Sequence, residues 1–276
     1  MPVKTILVHL ANDDQSPARL SAAAGLARRL SAHLTALYVT TPAHMPAAVT
    51  GRGASSAYLA EATAIAQEKA EKMRGTVIEA MRREGMSIEL EIVDGEPVEA
   101  IASESRFADI AIVGQSPSLT LDSVIALHPM EDLPLATACP CLVLPHGITP
   151  SATIGRRVVL GWKDTRTTAR AMHDSVPMLE SAESVLLLAI HEDGGPDATA
   201  DAAAAYLARH GIPVEVRVQR APDGDAGPTL IAAAAAAKAD MLVMGAFGHS
   251  RWREIVFGGA TNHVIRHMTV PVLFAH

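Results

Sequence analysis

The sequence contains very little cysteine: Cys139 and Cys141 are the only two in 276 residues. Cysteines two positions apart make a poor disulfide, and Cys-x-Cys is not the usual spacing of a zinc site. This scarcity excludes a disulfide-stabilised scaffold and a thiolate zinc centre. We interpret both residues as small buried side chains in a reducing cytoplasm.

The sequence also lacks any apolar run that approaches the roughly 18 residues needed to span a membrane. The N-terminus leads directly into residues 3–8, which have the pattern of a strand and not of a signal peptide. Charges of both signs are mixed, with a formal net charge of −7, so composition gives no case for a nucleic-acid surface. We therefore predict a cytoplasmic protein that binds neither membrane nor nucleic acid.

Short apolar segments alternate with helical segments along the whole chain. Because parallel strands need crossover connections, repeated β-α units predict parallel sheets with helices on both faces. Hydrophobic residues make up 49% of the chain, which is enough for the cores of one large or two small domains. The predicted strands are 3–10, 33–39, 87–93, 109–114 and 140–145, then 157–162, 184–190, 214–219, 240–245 and 270–274.

The second half of the chain repeats the first. Residues 97–114 align without a gap on residues 228–245, so that Asp109 meets Asp240 and Gly114 meets Gly245. Between the halves, a segment rich in Gly, Thr, Pro and Ser has no periodicity and reads as a linker. We predict a first domain at 1–146, a linker at 147–155 and a second domain at 156–276.

Glycines follow the fourth predicted strand of the second half at a defined spacing: Gly245, two residues, Gly248, nine residues, Gly258. A predicted helix at 262–268 comes next. Open α/β sheets hold ligands outside the carboxyl ends of their strands, and a helix N-terminus attracts phosphate. The spacing is neither the dinucleotide fingerprint nor the Walker A loop.

This segment resembles the nucleotide loop of the universal stress protein family, in its ATP-binding branch, which reads Gly-x2-Gly-x9-Gly followed by Ser or Thr. Gly245, Gly248 and Gly258 match, whereas Gly259 stands in place of the hydroxyl residue and Thr261 is a further hydroxyl nearby. The resemblance covers almost the whole chain. It implies two tandem α/β sandwiches with five-stranded parallel sheets, Rossmann-like and similar to the adenine nucleotide alpha hydrolase fold. These pack as an internal pseudo-dimer through their last strands.

The resemblance also implies a nucleotide site in the second half. Asp164 falls at the position whose carboxylate contacts the ribose or base region, and Ile190 at the position that lies along the adenine. The alternatives are a helix cap for Asp164, which does not exclude ligand contact, and a core side chain for Ile190. The predicted ligand-binding residues are Gly161, Trp162, Lys163, Asp164, Ile190, Met244, Gly245, Gly248, His249, Ser250, Arg251, Gly258, Gly259, Ala260 and Thr261.

The first half lacks this loop, because Gly114 is followed by Gln115 and no further glycine at the required spacing. We therefore predict that the first domain is structural. Residues 12–14 read Asn-Asp-Asp and could bind a polar ligand, but a cap for the following helix is the interpretation we prefer.

The implied function is binding of ATP, with or without Mg²⁺, or of another adenine nucleotide, by a stress sensor or regulator. No general base, nucleophile pair or carboxylate pair for magnesium is visible near the loop, so we assign no catalytic residue, although weak ATP hydrolysis stays open. His263 and His267 have the i, i+4 spacing of a metal pair, but no third ligand is evident and we assign no metal site.

Two alternatives stay open at this point. The chain could be a stress protein that binds no nucleotide and acts through protein contacts, as a homodimer or with a regulatory partner, and the Gly259 departure is its main support. A synthetase that adenylates a substrate is the weaker alternative, because no motif for a second substrate is present.

Overall fold

The computed structural model describes residues 2–40, 55–115, 133–149, 153–191, 195–221, 226–246 and 259–276. Strands and helices alternate along these residues as the sequence predicts. The first half contains β1 (Thr5–Leu10), α1 (Ser16–Leu30), β2 (His33–Thr40), α2 (Ser55–Glu84), β3 (Glu89–Asp94), α3 (Pro97–Glu104), β4 (Ile110–Gly114), α4 (Leu133–Ala136) and β5 (Cys141–Leu144). The second half contains β6 (Arg157–Trp162), α5 (Arg166–Leu179), β7 (Ser184–His191), α6 (Ala198–Arg209), β8 (Val214–Arg220), α7 (Ala226–Ala236), β9 (Met241–Gly245), α8 (Ala260–His267) and β10 (Val272–Ala275).

The described strands form one sheet in the order β3-β2-β1-β4-β5-β10-β9-β6-β7-β8. Neighbours are parallel except at the centre, where β5 and β10 are antiparallel and Val143 pairs with Val272. The two halves therefore join through their last strands, and the predicted α/β class and the pairing of the last strands are confirmed.

Each strand contributes side chains to two hydrophobic cores, because successive side chains point to opposite faces of the sheet. Leu160 and Leu187 pack on the face covered by α1, α2, α5 and α6. Val159 and Leu188 pack on the other face, together with residues of α3, α7 and α8. Burial on both faces explains why the central strands are continuous apolar runs. Among the described helices, none is both long and apolar enough to cross a membrane.

Two equivalent aspartates confirm the predicted duplication. Asp240 Oδ1 accepts hydrogen bonds from the backbone N–H groups of Gly155, Arg156 and Arg157, at 2.9–3.0 Å. Asp109 Oδ2 accepts from those of Lys4 and Thr5, at 2.7 and 2.9 Å. Burial acts to raise the pKa of Asp109, but these hydrogen bonds outweigh it and hold the pKa below its ordinary value. In each half, the residue before the fourth strand thus fixes the start of the first.

Candidate functional site

The carboxyl ends of β6 and β9 meet at a topological switch point in the second half. β6 lies between β9 and β7, with Leu160 paired to Val243 on one side and Trp162 to Ala189 on the other. Because the chain leaves β6 toward β7 and returns later as β9, a crevice opens beside the end of β6. The structure brings the predicted residues at the ends of β6, β7 and β9 to this edge.

Asp164 follows β6 at this crevice and its side chain is exposed. Thr165, and not Asp164, caps α5: its Oγ1 accepts the backbone N–H of Thr168 at 3.3 Å. The interpretation of Asp164 as a helix cap is therefore wrong. Within the described residues the Asp164 carboxylate has no hydrogen bond or ion pair, so its oxygens are available to a ligand.

Gly245 ends β9 and is required by packing inside the protein. A Cβ at this position would lie 2.6 Å from the backbone N of Thr168 and 2.7 Å from the carbonyl carbon of Thr167. The first turn of α5 thus contacts the strand backbone directly. At Gly161, a Cβ would come 2.7 Å from Cδ2 of Leu230, a flexible side chain of α7. Gly245 therefore has a structural reason that does not depend on a ligand, whereas the leucine at Gly161 can move aside.

Three predicted residues contribute mainly to the cores. Met244 is buried on the face of α7 and α8, and Ile190 is half-buried against the same core, as its core interpretation requires. Trp162 is buried on the other face, where its Nε1 donates to Oγ1 of Thr199 at 3.0 Å. Lys163, between Trp162 and Asp164, is exposed at the crevice.

The N-terminus of α8 has glycine at its N-cap position. Gly259 has no side chain that can accept from the first-turn N–H groups, so these can serve an anion. Ala260 is half-buried, and Thr261 is only 3% exposed, so its hydroxyl lies inside the fold. The helix begins two residues before its predicted start. Five predicted site residues lie outside the described residues: Gly248, His249, Ser250, Arg251 and Gly258.

The sequence analysis missed a polar network at the end of β7. His191 Nε2 lies 2.8 Å from Oδ2 of Asp197, the N-cap of α6. Oδ1 of Asp197 accepts from the N–H and hydroxyl of Thr199 at 2.8 and 2.6 Å, and from the N–H of Ala200 at 3.2 Å. Burial acts to raise the pKa of Asp197, but these hydrogen bonds outweigh it and lower the pKa. The segment Asp197-Ala198-Thr199 indicates the start of a helix, but no sequence feature indicates that Asp197 pairs with His191.

The equivalent crevice of the first half, between β1 and β4, is filled by the side chain of Arg19. A Cβ at Gly114 would lie 2.7 Å from the guanidinium carbon of Arg19. The guanidinium donates to the carbonyl of His9 at 3.1 Å and to Oδ2 of Asp13 at 2.7 Å, and Arg19 is only 3% exposed. Asp13 Oδ1 also accepts from the N–H of Gln15, but the N-cap of α1 is Gln15 and no side chain caps the helix, so the preferred interpretation of residues 12–14 as a helix cap is wrong.

His9 occupies the position of β1 that matches Gly161 of β6. Its side chain is buried, and Nδ1 has no hydrogen-bond partner within the described residues. Burial first, and the neighbouring charge of Arg19 second, lower the pKa of His9 to about 3, so the imidazole is neutral in the folded protein. The first half thus has an imidazole where the second half has a glycine, and a guanidinium lies against Gly114 where the backbone of Thr167 and Thr168 lies against Gly245.

The described residues contain no group of three or more His, Cys, Asp or Glu arranged to hold a metal ion. His263 and His267 instead stack at 4.3 Å between ring centroids, and Nδ1 of His267 lies 2.9 Å from the His263 carbonyl oxygen. Cys139 and Cys141 are free thiols. Burial raises the pKa of Cys139 to about 12 and that of Cys141 also above its ordinary value, so both stay protonated at neutral pH.

Similarity to known proteins covers both halves. The sequence pattern of the universal stress protein family matches residues 2–145 and 158–276. A universal stress protein from Archaeoglobus fulgidus DSM 4304 has a similar fold over 98% of this chain and 95% of its own, with a TM-score of 0.76 and 19% identity. A functionally unknown protein from Pseudomonas aeruginosa PAO1 is similar over 99% of this chain and 92% of its own, with a TM-score of 0.59 and 16% identity.

A universal stress protein from Archaeoglobus fulgidus solved in complex with dAMP is 18% identical over 52% of this chain and 98% of its own, with a TM-score of 0.32. No curated protein matches the chain. The two matches to the family pattern, one in each half, cover most of the sequence. The chain therefore belongs to the universal stress protein family, with two such domains in tandem.

Proposed function

We propose that the second half binds one adenine nucleotide, ATP or a relative of it, and that the protein is a cytoplasmic stress sensor or regulator. The observation that carries this proposal is the difference between the two crevices. At the switch point of the second half stand an exposed carboxylate, Asp164, and a helix that begins at Gly259. At that of the first half, the buried guanidinium of Arg19 forms an ion pair with the exposed carboxylate of Asp13, at 2.7 Å between nitrogen and oxygen.

The residues at the second crevice suit the two ends of a nucleotide. A carboxylate accepts hydrogen bonds from two ribose hydroxyls, and Asp164 has both oxygens available among the described residues. The N-terminus of α8 suits phosphate, because its N–H groups and dipole both favour an anion. In this proposal Gly248, His249, Ser250, Arg251 and Gly258 complete the phosphate side, as the family resemblance implies.

The same residues favour binding over catalysis. Asp164 is the only carboxylate that the described part of the crevice presents, so Mg²⁺ would be held chiefly by the phosphates themselves. Hydrolysis needs a group that positions or activates water at the terminal phosphate, and we assign none. Slow turnover is therefore the expected upper limit of activity.

Calorimetric titration of the full chain with ATP and Mg²⁺ tests the proposal, beside AMP, dAMP and GTP. We expect a stoichiometry near one and a preference for adenine over guanine. A stoichiometry near two would contradict the filled first crevice. No heat with any nucleotide, together with no nucleotide released from gently purified protein on denaturation, would favour the alternative of a stress protein that acts through protein contacts.

A further inference from the structure

His191 combines exposure with a fixed orientation. Its side chain is 38% exposed at the end of β7, whereas that of its partner Asp197 is only 7% exposed. The carboxylate is itself held by three further hydrogen bonds from Thr199 and Ala200. A buried, immobilised carboxylate thus holds an imidazole at the surface, which is how proteins orient a histidine for contact with a ligand.

The pairing also fixes which nitrogen of the neutral imidazole carries the proton. A carboxylate can only accept, so Nε2 donates its hydrogen to Asp197 Oδ2. Nδ1 is then the acceptor of the ring, and within the described residues it has no hydrogen-bond partner. The network therefore presents a hydrogen-bond acceptor and leaves it unused.

His191 lies beside the proposed ligand. The strand register pairs Trp162 of β6 with Ala189 of β7. Asp164 follows Trp162 by two residues, just beyond the end of β6, and His191 follows Ala189 by two residues at the end of β7, so both lie at the carboxyl edge of the sheet. Ile190, immediately before His191, packs toward the opposite face of the sheet. His191 therefore lies on the face of α5 and α6, where its partner Asp197 caps α6, away from α8 and from the end at which the proposal places the phosphates.

We infer that His191 is a specificity-determining residue of the nucleotide site: its Nδ1 accepts a hydrogen bond from a donor of the nucleoside, and Asp197 is the positioning residue that sets this polarity. The inference rests on the proposed function. The donor is either a ribose hydroxyl or the exocyclic amino group of the base. The chemistry is the same for both, and the choice of nucleotide separates them.

The first experiment titrates the full chain and His191→Phe with ATP, 2′-deoxy-ATP, 3′-deoxy-ATP and ITP. Phenylalanine keeps a planar ring of similar shape without an acceptor. We expect ATP affinity to fall about two- to tenfold, the range of one neutral hydrogen bond. The nucleotide that lacks the donor should bind both proteins equally: ITP if the donor is the amino group, one deoxy form if it is a ribose hydroxyl.

The second experiment uses Asp197→Asn, which exchanges the donor and acceptor nitrogens of the His191 ring. The asparagine oxygen must stay on the side of the Thr199 and Ala200 N–H groups, because its NH₂ cannot accept from them. The NH₂ then faces Nε2, which becomes the acceptor, and Nδ1 becomes the donor. Asparagine is as good an N-cap as aspartate, so α6 should keep its stability. If the donor is the amino group, we expect weaker binding of ATP and tighter binding of ITP. A ribose hydroxyl can accept as well as donate, so ATP affinity should be kept if the donor is a ribose hydroxyl.

The outcomes separate the two proposals. Unchanged affinities of His191→Phe for all four nucleotides, with ATP still bound, overturn the role of His191 and leave the proposed function intact. An equal loss for all four also overturns it, as does an Asp197→Asn variant that folds and keeps the original affinities when the first experiment identifies the amino group as the donor. If the unaltered chain binds none of the four nucleotides, both proposals fall together.

Discussion

Gln115 of the first half donates a hydrogen bond from its side-chain Nε2 to the backbone carbonyl of Ile265 in the second half, at 2.7 Å. A longer contact of 3.4 Å reaches the carbonyl of Arg266. Both carbonyls belong to the last turn of α8, where backbone acceptors have no partner inside the helix. Oε1 of Gln115 accepts from the N–H of His146, which fixes the amide. The residue that follows Gly114 in the first half therefore supports the helix at the proposed site of the second.

Replacing Gln115 by alanine should destabilise the protein by about 1–2 kcal/mol, because α8 loses a cap and His146 an acceptor. Gln115→Glu should cost at least as much, since a carboxylate cannot donate and adds negative charge at a helix C-terminus. Urea unfolding of the full chain measures both. Gln219→Ala is the matched control: the Gln219 side chain is exposed and has no hydrogen bond within the described residues, so its removal should change stability by less than about 0.5 kcal/mol.

His9 should make the protein sensitive to mild acid. Its folded pKa is about 3 against an ordinary value of 6.5, so below pH 6.5 the unfolded chain takes up a proton that the folded chain does not. Stability is therefore lost progressively as pH falls from 6.5 toward 3, by about 3 kcal/mol at pH 4.5. Denaturant unfolding at pH 7.5, 6 and 4.5 measures this slope.

The control for this slope is a variant without a titratable group at the same place. In His9→Leu, the loss of stability between pH 7.5 and 4.5 should be much smaller, because leucine cannot take up a proton when the chain unfolds. His146→Gln removes an exposed histidine and should leave the slope as it is. Equal slopes in His9→Leu and the unaltered chain would show that His9 is protonated in the folded protein.

Features that repeat along the chain could be predicted from the sequence. The pairing of β5 with β10 was implied by the family resemblance. The alignment of Asp109 with Asp240 anticipated two equivalent aspartates, and the alternation of apolar segments anticipated the parallel sheet. Such features depend on periodicity and local propensity, which neighbouring residues determine.

Contacts between distant side chains could not be predicted. Gln115 and Ile265 are 150 residues apart, and nothing near either residue signals the contact. The cap of α5 was assigned to Asp164 as an alternative, but the adjacent Thr165 provides it, because either residue type can cap and the backbone decides which one does. Gly245 matched a ligand motif, yet its closest neighbours belong to α5. Sequence patterns identify residue types that suit a site, and packing decides what each one contacts.

Asp164→Asn should weaken nucleotide binding without weakening the fold. A hydrogen bond to a charged group contributes about 1.5–3 kcal/mol, so affinity for ATP should fall at least tenfold. Stability should change by less than about 0.5 kcal/mol, because the carboxylate has no partner among the described residues. Asp14→Asn, an exposed aspartate beside the filled crevice, is the control and should bind normally. Normal ATP affinity in Asp164→Asn would remove Asp164 from the site.

The second half expressed alone, as residues 153–276, should self-associate. Removing β5 leaves β10 as an open edge whose residues Val272, Leu273 and Phe274 are fully buried in the joined chain. An unpaired apolar strand edge pairs readily with another chain. Light scattering after gel filtration should give a dimer or larger species, whereas the full chain keeps this edge covered. A soluble, stable monomer of the fragment would show that the β5–β10 pairing is dispensable.

Two glycine substitutions separate what the fold requires from what the ligand requires. In Gly245→Ala, the new methyl group meets the backbone of Thr167 and Thr168 at 2.6–2.7 Å, and backbone cannot move aside cheaply. We expect a loss of about 1–3 kcal/mol in stability, with or without nucleotide. Gly259→Ser needs no change of backbone conformation: Gly259 has a φ of −57°, which serine adopts readily, and a serine hydroxyl at the N-cap stabilises a helix by a few tenths of a kcal/mol. It also restores the hydroxyl found in the nucleotide loop of the family, so ATP should bind as before or up to about tenfold more tightly. Thermal unfolding and calorimetric titration of both variants measure the two effects. A Gly259→Ser variant that folds but no longer binds ATP would mean that the N-terminus of α8 is shaped for a ligand other than a phosphate.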